Sequence, residues 1–225
     1  GGIKEILPRT RNDAHKLIEE CMLLANVAAA EYALQHDVPM LYRIHEPPEF
    51  SRIQKVRDFV KLLGLSFPEQ PTQKDYQAVI DATKDRIDAP SIHAVLLRSM
   101  MQAYYGANNA GHFGLAYEAY THFTSPIRRY PDLLLHRAIK AKLKHKPAPL
   151  SGAALDDAGQ HFSATERRAD EASRSVTTWL KCHYMQQHLG EEFVGTISAV
   201  AEFGLFVTLK DLYVDGMIHV SQLGD

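Results

Sequence analysis

The sequence predicts an α+β fold, and three observations carry that expectation. Apolar side chains recur at helical spacing in long runs between about residues 12 and 188. One short β-prone segment, Met40-Leu41-Tyr42-Arg43-Ile44-His45, interrupts them before Glu46-Pro47-Pro48 ends it. From Phe193 onward the alternation switches to every second residue, the period of strands.

In chain order, Thr10, Asn12 and Asp13 offer caps for a helix to about Gln35. Its apolar positions are Leu17, Ile18, Cys21, Leu24, Ala25, Ala28, Ala29 and Tyr32, which predict the face turned to the core. Asn26 sits among them and needs hydrogen-bond partners if it is buried. After the strand at 40–45, Ser51 caps a helix to about Leu63, stopped by Gly64. Thr72, with Asp75 three residues on, caps another to about Ile87. A third is expected from Pro90 through Tyr104 or Tyr105. Residues 106–124 then change character to Gly, Asn, His and aromatics, where a short strand is expected. Leu133, Leu134, Leu135, Ala138, Ile139 and Ala141 mark a helix to about Leu143, followed by a basic, proline-containing linker. One long helical pattern covers Asp156 to about His188 and stops at Gly190. Residues 193–200, 204–209 and 214–220 read as three strands, the start of a small barrel; a closed OB-type barrel needs about five.

Composition narrows the function classes. Lys and Arg total 25 against 27 Asp and Glu, so no global basic field announces nucleic acid, and such binding has to come from local patches. At 225 residues, 45% apolar and 23% charged, the chain can form one or two domains with a real core. Cys21 and Cys182 lie in apolar helical patterns without a CxxC partner, which predicts buried free thiols in a reducing cytosol rather than a zinc site. No apolar run approaches the ~20 residues that span a bilayer, and no basic region followed by an apolar stretch opens the chain. The expectation is a cytoplasmic monomer without a membrane partner.

The stretch that reads as chemistry is His122-Phe123-Thr124-Ser125-Pro126-Ile127-Arg128-Arg129-Tyr130-Pro131-Asp132. Thr124 or Ser125 is a good N-cap and Pro126 suits a first helical position, which would put Arg128 and Arg129 in the first turn. There the helix dipole disfavours each cation by roughly 0.3–1 kcal/mol. Two guanidinium groups at that end make sense if an anion binds, because free N–H groups and forked Arg donors form a phosphate or carboxylate site. The alternative is that Arg128 pairs with Asp132 and Arg129 is solvated. Pro131 leaves a second choice open, since it disfavours the α conformation at Tyr130: the helix is kinked there, or begins there with both arginines in the preceding turn.

Taken together, Ile18-Glu19-Glu20-Cys21-Met22-Leu23-Leu24-Ala25-Asn26, Gly111-His112-Phe113-Gly114-Leu115 and the long Ser-Pro stretch through Leu133 resemble the catalytic domain of the ribonuclease II/R family. Glu166-Arg167-Arg168-Ala169-Asp170-Glu171-Ala172 and Trp179-Leu180-Lys181-Cys182 look like its bacterial ribonuclease R branch, and residues from Phe193 are similar to the first part of the S-one type OB-fold domain that follows. The resemblance covers essentially the whole chain. It implies two regions: 1–190, the C-terminal and mostly helical part of a catalytic domain whose N-terminal half is absent, and 191–225, a truncated OB-fold RNA-binding domain.

The activity implied is processive 3′-to-5′ hydrolysis of single-stranded and structured RNA to nucleoside 5′-monophosphates with magnesium. By the resemblance, Arg128 matches the arginine that stabilises the transition state at the scissile phosphate. Glu19 matches an acidic residue near the 3′-end nucleotides, where a carboxylate can accept from a ribose hydroxyl. Arg129, Tyr130 and His112 are expected on the RNA as well. Phe203, Phe206 and His219 fall where such OB folds present stacking surfaces and a polar contact, with an aromatic core as the alternative. The aspartate cluster that holds the metals in this family precedes the segment present here, so no metal ligand is assigned in this chain, and the fragment alone is expected to be inactive. The missing N-terminal half is then a possible partner. The rival readings are a non-catalytic RNA-binding module and a purely structural helical domain.

Overall fold

The computed structural model describes every residue except Gly1, Gly2, Lys4, Pro8, Arg9, Asp211 and Asp225. It falls into two compact units: Asp13–Thr165, and the described residues within Gly1–Asn12 and Glu166–Asp225.

In the first unit, helix α1 spans Asp13–Gln35. Its buried residues are Asn26, Ala29, Ala30 and Ala33. Three positions expected on the core face, Leu17, Ile18 and Leu24, are instead 63–67% exposed, and Cys21 is exposed. The periodicity located the helix and, at Ala29 and Tyr32, part of the face that packs, but not its first three turns. Alanine side chains permit the close approach of Val38, Met40, Ile44, Leu135 and Ala138 around them, and the bulkier stripe points elsewhere.

Strand β1 (Tyr42–Ile44) pairs antiparallel with β2 (Tyr104–Gly106), with Arg43 opposite Tyr105. Between them lie α2 (Phe50–Leu62), α3 (Gln73–Thr83) and α4 (Ala89–Ser99). These three pack a second core through Ile53, Val56, Val60, Tyr76, Val79, Ile92 and Leu96. The Thr72 and Asp75 capping box forms, with the Thr72 N–H donating to Asp75 Oδ2 at 2.7 Å. Two helices end earlier than their patterns predict. In α3, the hydroxyl of Thr83 donates to the Val79 carbonyl at 2.7 Å and the chain turns. In α4, Ser99 Oγ donates to Leu96 O at 2.6 Å, Met100 is extended, and its carbonyl accepts from Arg52 at 3.0 Å. Tyr104 and Tyr105 are therefore strand residues rather than the end of a helix. Pairing with β1 satisfies their backbone, and aromatic residues suit a pleated, half-buried surface.

Helix α5 spans Tyr130–Leu143 and α6 spans Ala153–Met185. The second of the two arrangements open at Pro131 is the one observed. Pro131 lies in the first turn of α5, and the N–H groups of Arg128 and Arg129 close a preceding turn onto the Ser125 carbonyl at 3.2 and 3.0 Å. The expected strand within 106–124 is absent beyond Gly106. Residues 107–129 instead hold a 3₁₀ turn at Phe113–Leu115 and isolated bridges from His112 to His45 and Tyr117. Gly159 brings α6 against the sheet, because an added Cβ there would stand 2.8 Å from the Tyr105 carbonyl oxygen.

The second unit contains the three strands its alternation predicts: β3 (Gly195–Ala201), β4 (Gly204–Leu209) and β5 (Asp215–His219), antiparallel in that order. Gly204 starts β4 so close to β5 that a Cβ would meet the Ile218 carbonyl oxygen at 2.2 Å. No helix among the described residues is long and apolar enough to cross a membrane.

The Gly159 contact is with backbone that β-pairing holds in place. Gly159→Val is expected to lower stability by about 1–3 kcal/mol, the usual size of an overpacking defect. A urea midpoint unchanged from wild type would contradict this packing.

Candidate functional site

The site forms where the loop at 107–129 passes between α1 and the start of α5. Two fully buried polar side chains hold it there. Asn26 of α1 donates through Nδ2 to the Tyr120 hydroxyl at 2.8 Å. Its Oδ1 accepts from the N–H groups of Phe123 and Thr124 at 2.9 and 3.2 Å. Asp132 of α5 accepts from the Ser125 N–H at 2.8 Å and from a terminal guanidinium nitrogen of Arg129 at 2.7 Å. His136, one turn further along α5, bonds the Phe123 carbonyl at 2.9 Å, and its ring lies flat on that of Phe123 with centroids 4.1 Å apart.

The two arginines therefore differ. Arg129, whose side chain is 16% exposed, is the partner of Asp132, in place of the Arg128–Asp132 pair that spacing allowed. Arg128 stands exposed on the turn, and its side chain makes no hydrogen bond or ion pair with the other described residues. An exposed guanidinium, on a turn braced from both sides, can offer two parallel N–H donors to an oxyanion such as phosphate.

Behind the turn lies a row of rings. His45 and His112 stack at 5.1 Å, His112 meets Tyr120 at 5.3 Å, and Tyr120 meets His122 at 5.9 Å. His122 Nδ1 is 2.8 Å from the Tyr105 hydroxyl, and the Arg43 guanidinium covers the Tyr105 ring at 4.8 Å. The backbone fixes two of the imidazoles as neutral acceptors at Nδ1. The Gly114 N–H donates to His45 at 3.1 Å and the Leu115 N–H to His112 at 3.2 Å, which a proton on Nδ1 would forbid. Burial pushes all three pKa values down. His45 is lowered, His112 falls to about 4 with His45 as the second cause, and His122 falls to about 3 with Arg129 and Arg43 adding repulsion.

Of the remaining predicted site residues, Glu19 lies half-buried on α1, seven residues before Asn26. Tyr130 opens α5 half-exposed, its ring tilted against Phe162 at 5.3 Å and its hydroxyl accepting from Arg137 at 3.2 Å. In the second unit Phe203 is 51% exposed at the β3–β4 turn and sits edge-on to Phe206 at 6.0 Å. His219 pairs with Gly204 across the same end of the sheet, and Val220 N–H donates to the Phe203 carbonyl at 2.9 Å. These three share one end of that sheet. No sequence signal assigned a site role to His45 or Tyr120, and His122 and Asp132 stood out only as the ends of the long Ser-Pro stretch. A carboxylate three residues after Arg129 and a lone Asn in an apolar helix were the available signals.

A model of the RNB domain matches residues 1–145. The chain belongs to the RNB family. Along its length it is 49% identical to ribonuclease R of Vibrio cholerae, over 99% of this chain and 29% of that protein. It is 47% identical to ribonuclease R of Escherichia coli, over 98% of this chain and 29% of that one. The chain thus spans under a third of the length of these RNB relatives. Mycoplasma genitalium RNase R, solved in complex with ribose-methylated single-stranded RNA, is 27% identical and superposes with a TM-score of 0.88 over 96% of this chain and 35% of its own. Yeast Ssd1, a pseudonuclease, shares the RNB fold at 22% identity and a TM-score of 0.77 over 93% of this chain and 27% of its own.

The histidine row makes a pH prediction. Each imidazole is neutral in the fold and takes up a proton near pH 6.5 when unfolded, so the unfolded state binds more protons below that pH. Stability is complete above about pH 6.5 and falls as the pH drops toward the lowered folded values. Urea midpoints measured between pH 7 and 5 are expected to decline with acid. His112→Asn is expected to make that decline shallower by up to one proton.

Proposed function

We propose that this chain is the part of a 3′-to-5′ exoribonuclease that supplies the arginine of the active site and part of the RNA track, acting on single-stranded and structured RNA. The observation that carries the reading is Arg128. It is exposed and unpaired among the described residues, while its neighbour Arg129 is held by Asp132. A guanidinium so placed stabilises negative charge that develops on phosphate oxygens as the phosphodiester breaks. The similarity to ribonuclease R proteins, and to an RNase R that was solved with RNA, supports RNA as the anion.

Glu19 then accepts from ribose hydroxyls near the 3′ end, and Tyr130 and His112 complete the wall around the strand. Phe203, Phe206 and His219 stack on and contact RNA bases, in the manner of an S-one type OB fold. Hydrolysis by a nuclease of this kind uses magnesium held by clustered carboxylates. The described residues hold no group of three or more His, Cys, Asp or Glu side chains able to bind a metal ion, so the set present does not fit that requirement. In this reading the metal chemistry belongs to the rest of the longer polypeptide, and the 225-residue chain alone binds RNA without cleaving it. We further propose a monomer working in the cytoplasm, where the exposed thiols of Cys21 and Cys182 stay reduced.

Two measurements test this. Labelled single-stranded RNA is expected to bind the chain with an affinity that falls as salt rises, and Arg128→Ala is expected to weaken binding and reduce the salt slope by about one phosphate contact. With magnesium present, release of mononucleotides by the isolated chain would overturn the assignment of the metal site to another segment. Unchanged affinity after Arg128→Ala would favour a purely structural domain.

A further inference from the structure

We propose that Asn26 is a positioning residue that fixes the Arg128 turn to the face of α1 that carries Glu19. The inference rests on the reading of Arg128 as a phosphate ligand and adds the element that sets its place. Asn26 is fully buried and uses three of its four hydrogen-bonding capacities on the loop: Nδ2 to the Tyr120 hydroxyl, and Oδ1 to the N–H groups of both Phe123 and Thr124. The next N–H, that of Ser125, belongs to Asp132, and the Ser125 carbonyl in turn closes the turn by accepting from Arg128 and Arg129. Hydrogen bonds at three successive residues, joined by the covalent backbone, thus connect the middle of α1 to the backbone of Arg128.

A helix turns 3.6 residues per revolution, so residues seven apart lie within about 20° of the same face and about 10 Å apart along the axis. Glu19 and Asn26 have that separation. Asn26 consequently sets how far the backbone that carries Arg128 lies from the backbone that carries Glu19, and with it the span over which the two side chains reach a phosphate and a ribose hydroxyl of one RNA strand. A residue that only filled space at position 26 would leave this distance to the loop.

The test is whether Arg128 depends on Asn26. Affinity for a single-stranded oligouridylate is measured by fluorescence anisotropy for the 225-residue chain, for Asn26→Ala and for Asn26→Asp, each with and without Arg128→Ala, after thermal melts show which variants are folded. Asn26→Asp keeps an oxygen where Oδ1 accepts from Phe123 and Thr124, and replaces the Nδ2 donor by a second acceptor to which the Tyr120 hydroxyl can donate. Arg128→Ala is expected to cost about tenfold in wild type and in Asn26→Asp, the usual weight of one charge-assisted contact. In Asn26→Ala it is expected to cost less than about twofold, because the backbone that carries Arg128 is no longer held in place. An equal Arg128 penalty in Asn26→Ala and wild type would overturn the inference.

Amide hydrogen exchange in the unmutated chain gives a second readout that needs no variant to fold. The Phe123, Thr124 and Ser125 amides are expected to exchange far more slowly than that of Ile127, and fast exchange at Phe123 and Thr124 would overturn the proposed tether. Absence of any Arg128 penalty in wild type, with those amides protected, would instead remove the phosphate reading on which the inference rests.

Discussion

Three successive backbone N–H groups, those of Phe123, Thr124 and Ser125, have no strand or helix to bond to, and the candidate site depends on how they are satisfied. A buried N–H left unpaired costs about 1–3 kcal/mol. Here two fully buried side chains accept them, Asn26 from one helix and Asp132 from another. Loop, α1 and α5 are thereby locked to one another by polar contacts that tolerate little displacement, because hydrogen-bond energy falls steeply with distance and angle. Apolar packing on its own would not fix the position of the loop so narrowly. The alanines of α1 bring the helices close, and the Asn26 and Asp132 bonds select a single alignment among those that close packing permits.

The same arrangement resolves the apparent conflict of two cations at a helix start. Residues 125–129 form a separate turn, and α5 begins only at Tyr130. Arg129 is neutralised by a buried carboxylate, and breaking such a pair by removing one partner is strongly destabilising, about 3–5 kcal/mol. Arg128, one residue earlier, has no such duty. Adjacent and chemically identical side chains are thus separated into one that braces the turn and one that faces outward.

Much of this was legible in the sequence. The α+β class, the order of the helices and the three terminal strands all follow from periodicity, caps and prolines. Three kinds of feature were not legible, each for a physical reason. The predicted core face of α1 holds only in its C-terminal half, where Ala29 is buried and Tyr32 packs on the core, while Leu17, Ile18 and Leu24 proved exposed, because which turns of a helix meet the core is set by its distant partners. Tyr104 and Tyr105 continue a helical pattern, and only the distant Tyr42–Ile44 strand makes them β. The pairing of Asp132 with Arg129 in place of Arg128 followed from the backbone turn that Pro131 imposes, which spacing left as one of two options. Asn26 lies between these cases. Its need for partners was visible, and their identity, 94 to 98 residues away in the chain, was not.

The row of histidines behind the turn has a consequence for the character of the anion site. Because burial holds His45, His112 and His122 neutral, with backbone N–H groups donating to the first two and the charges of Arg129 and Arg43 adding repulsion at the third, they add no positive charge near neutral pH. The attraction at this face then comes from guanidinium groups, which do not titrate in any physiological range. Acidification weakens the scaffold without strengthening the field, so ionic strength, rather than protonation, governs how tightly a polyanion is held while the fold remains intact.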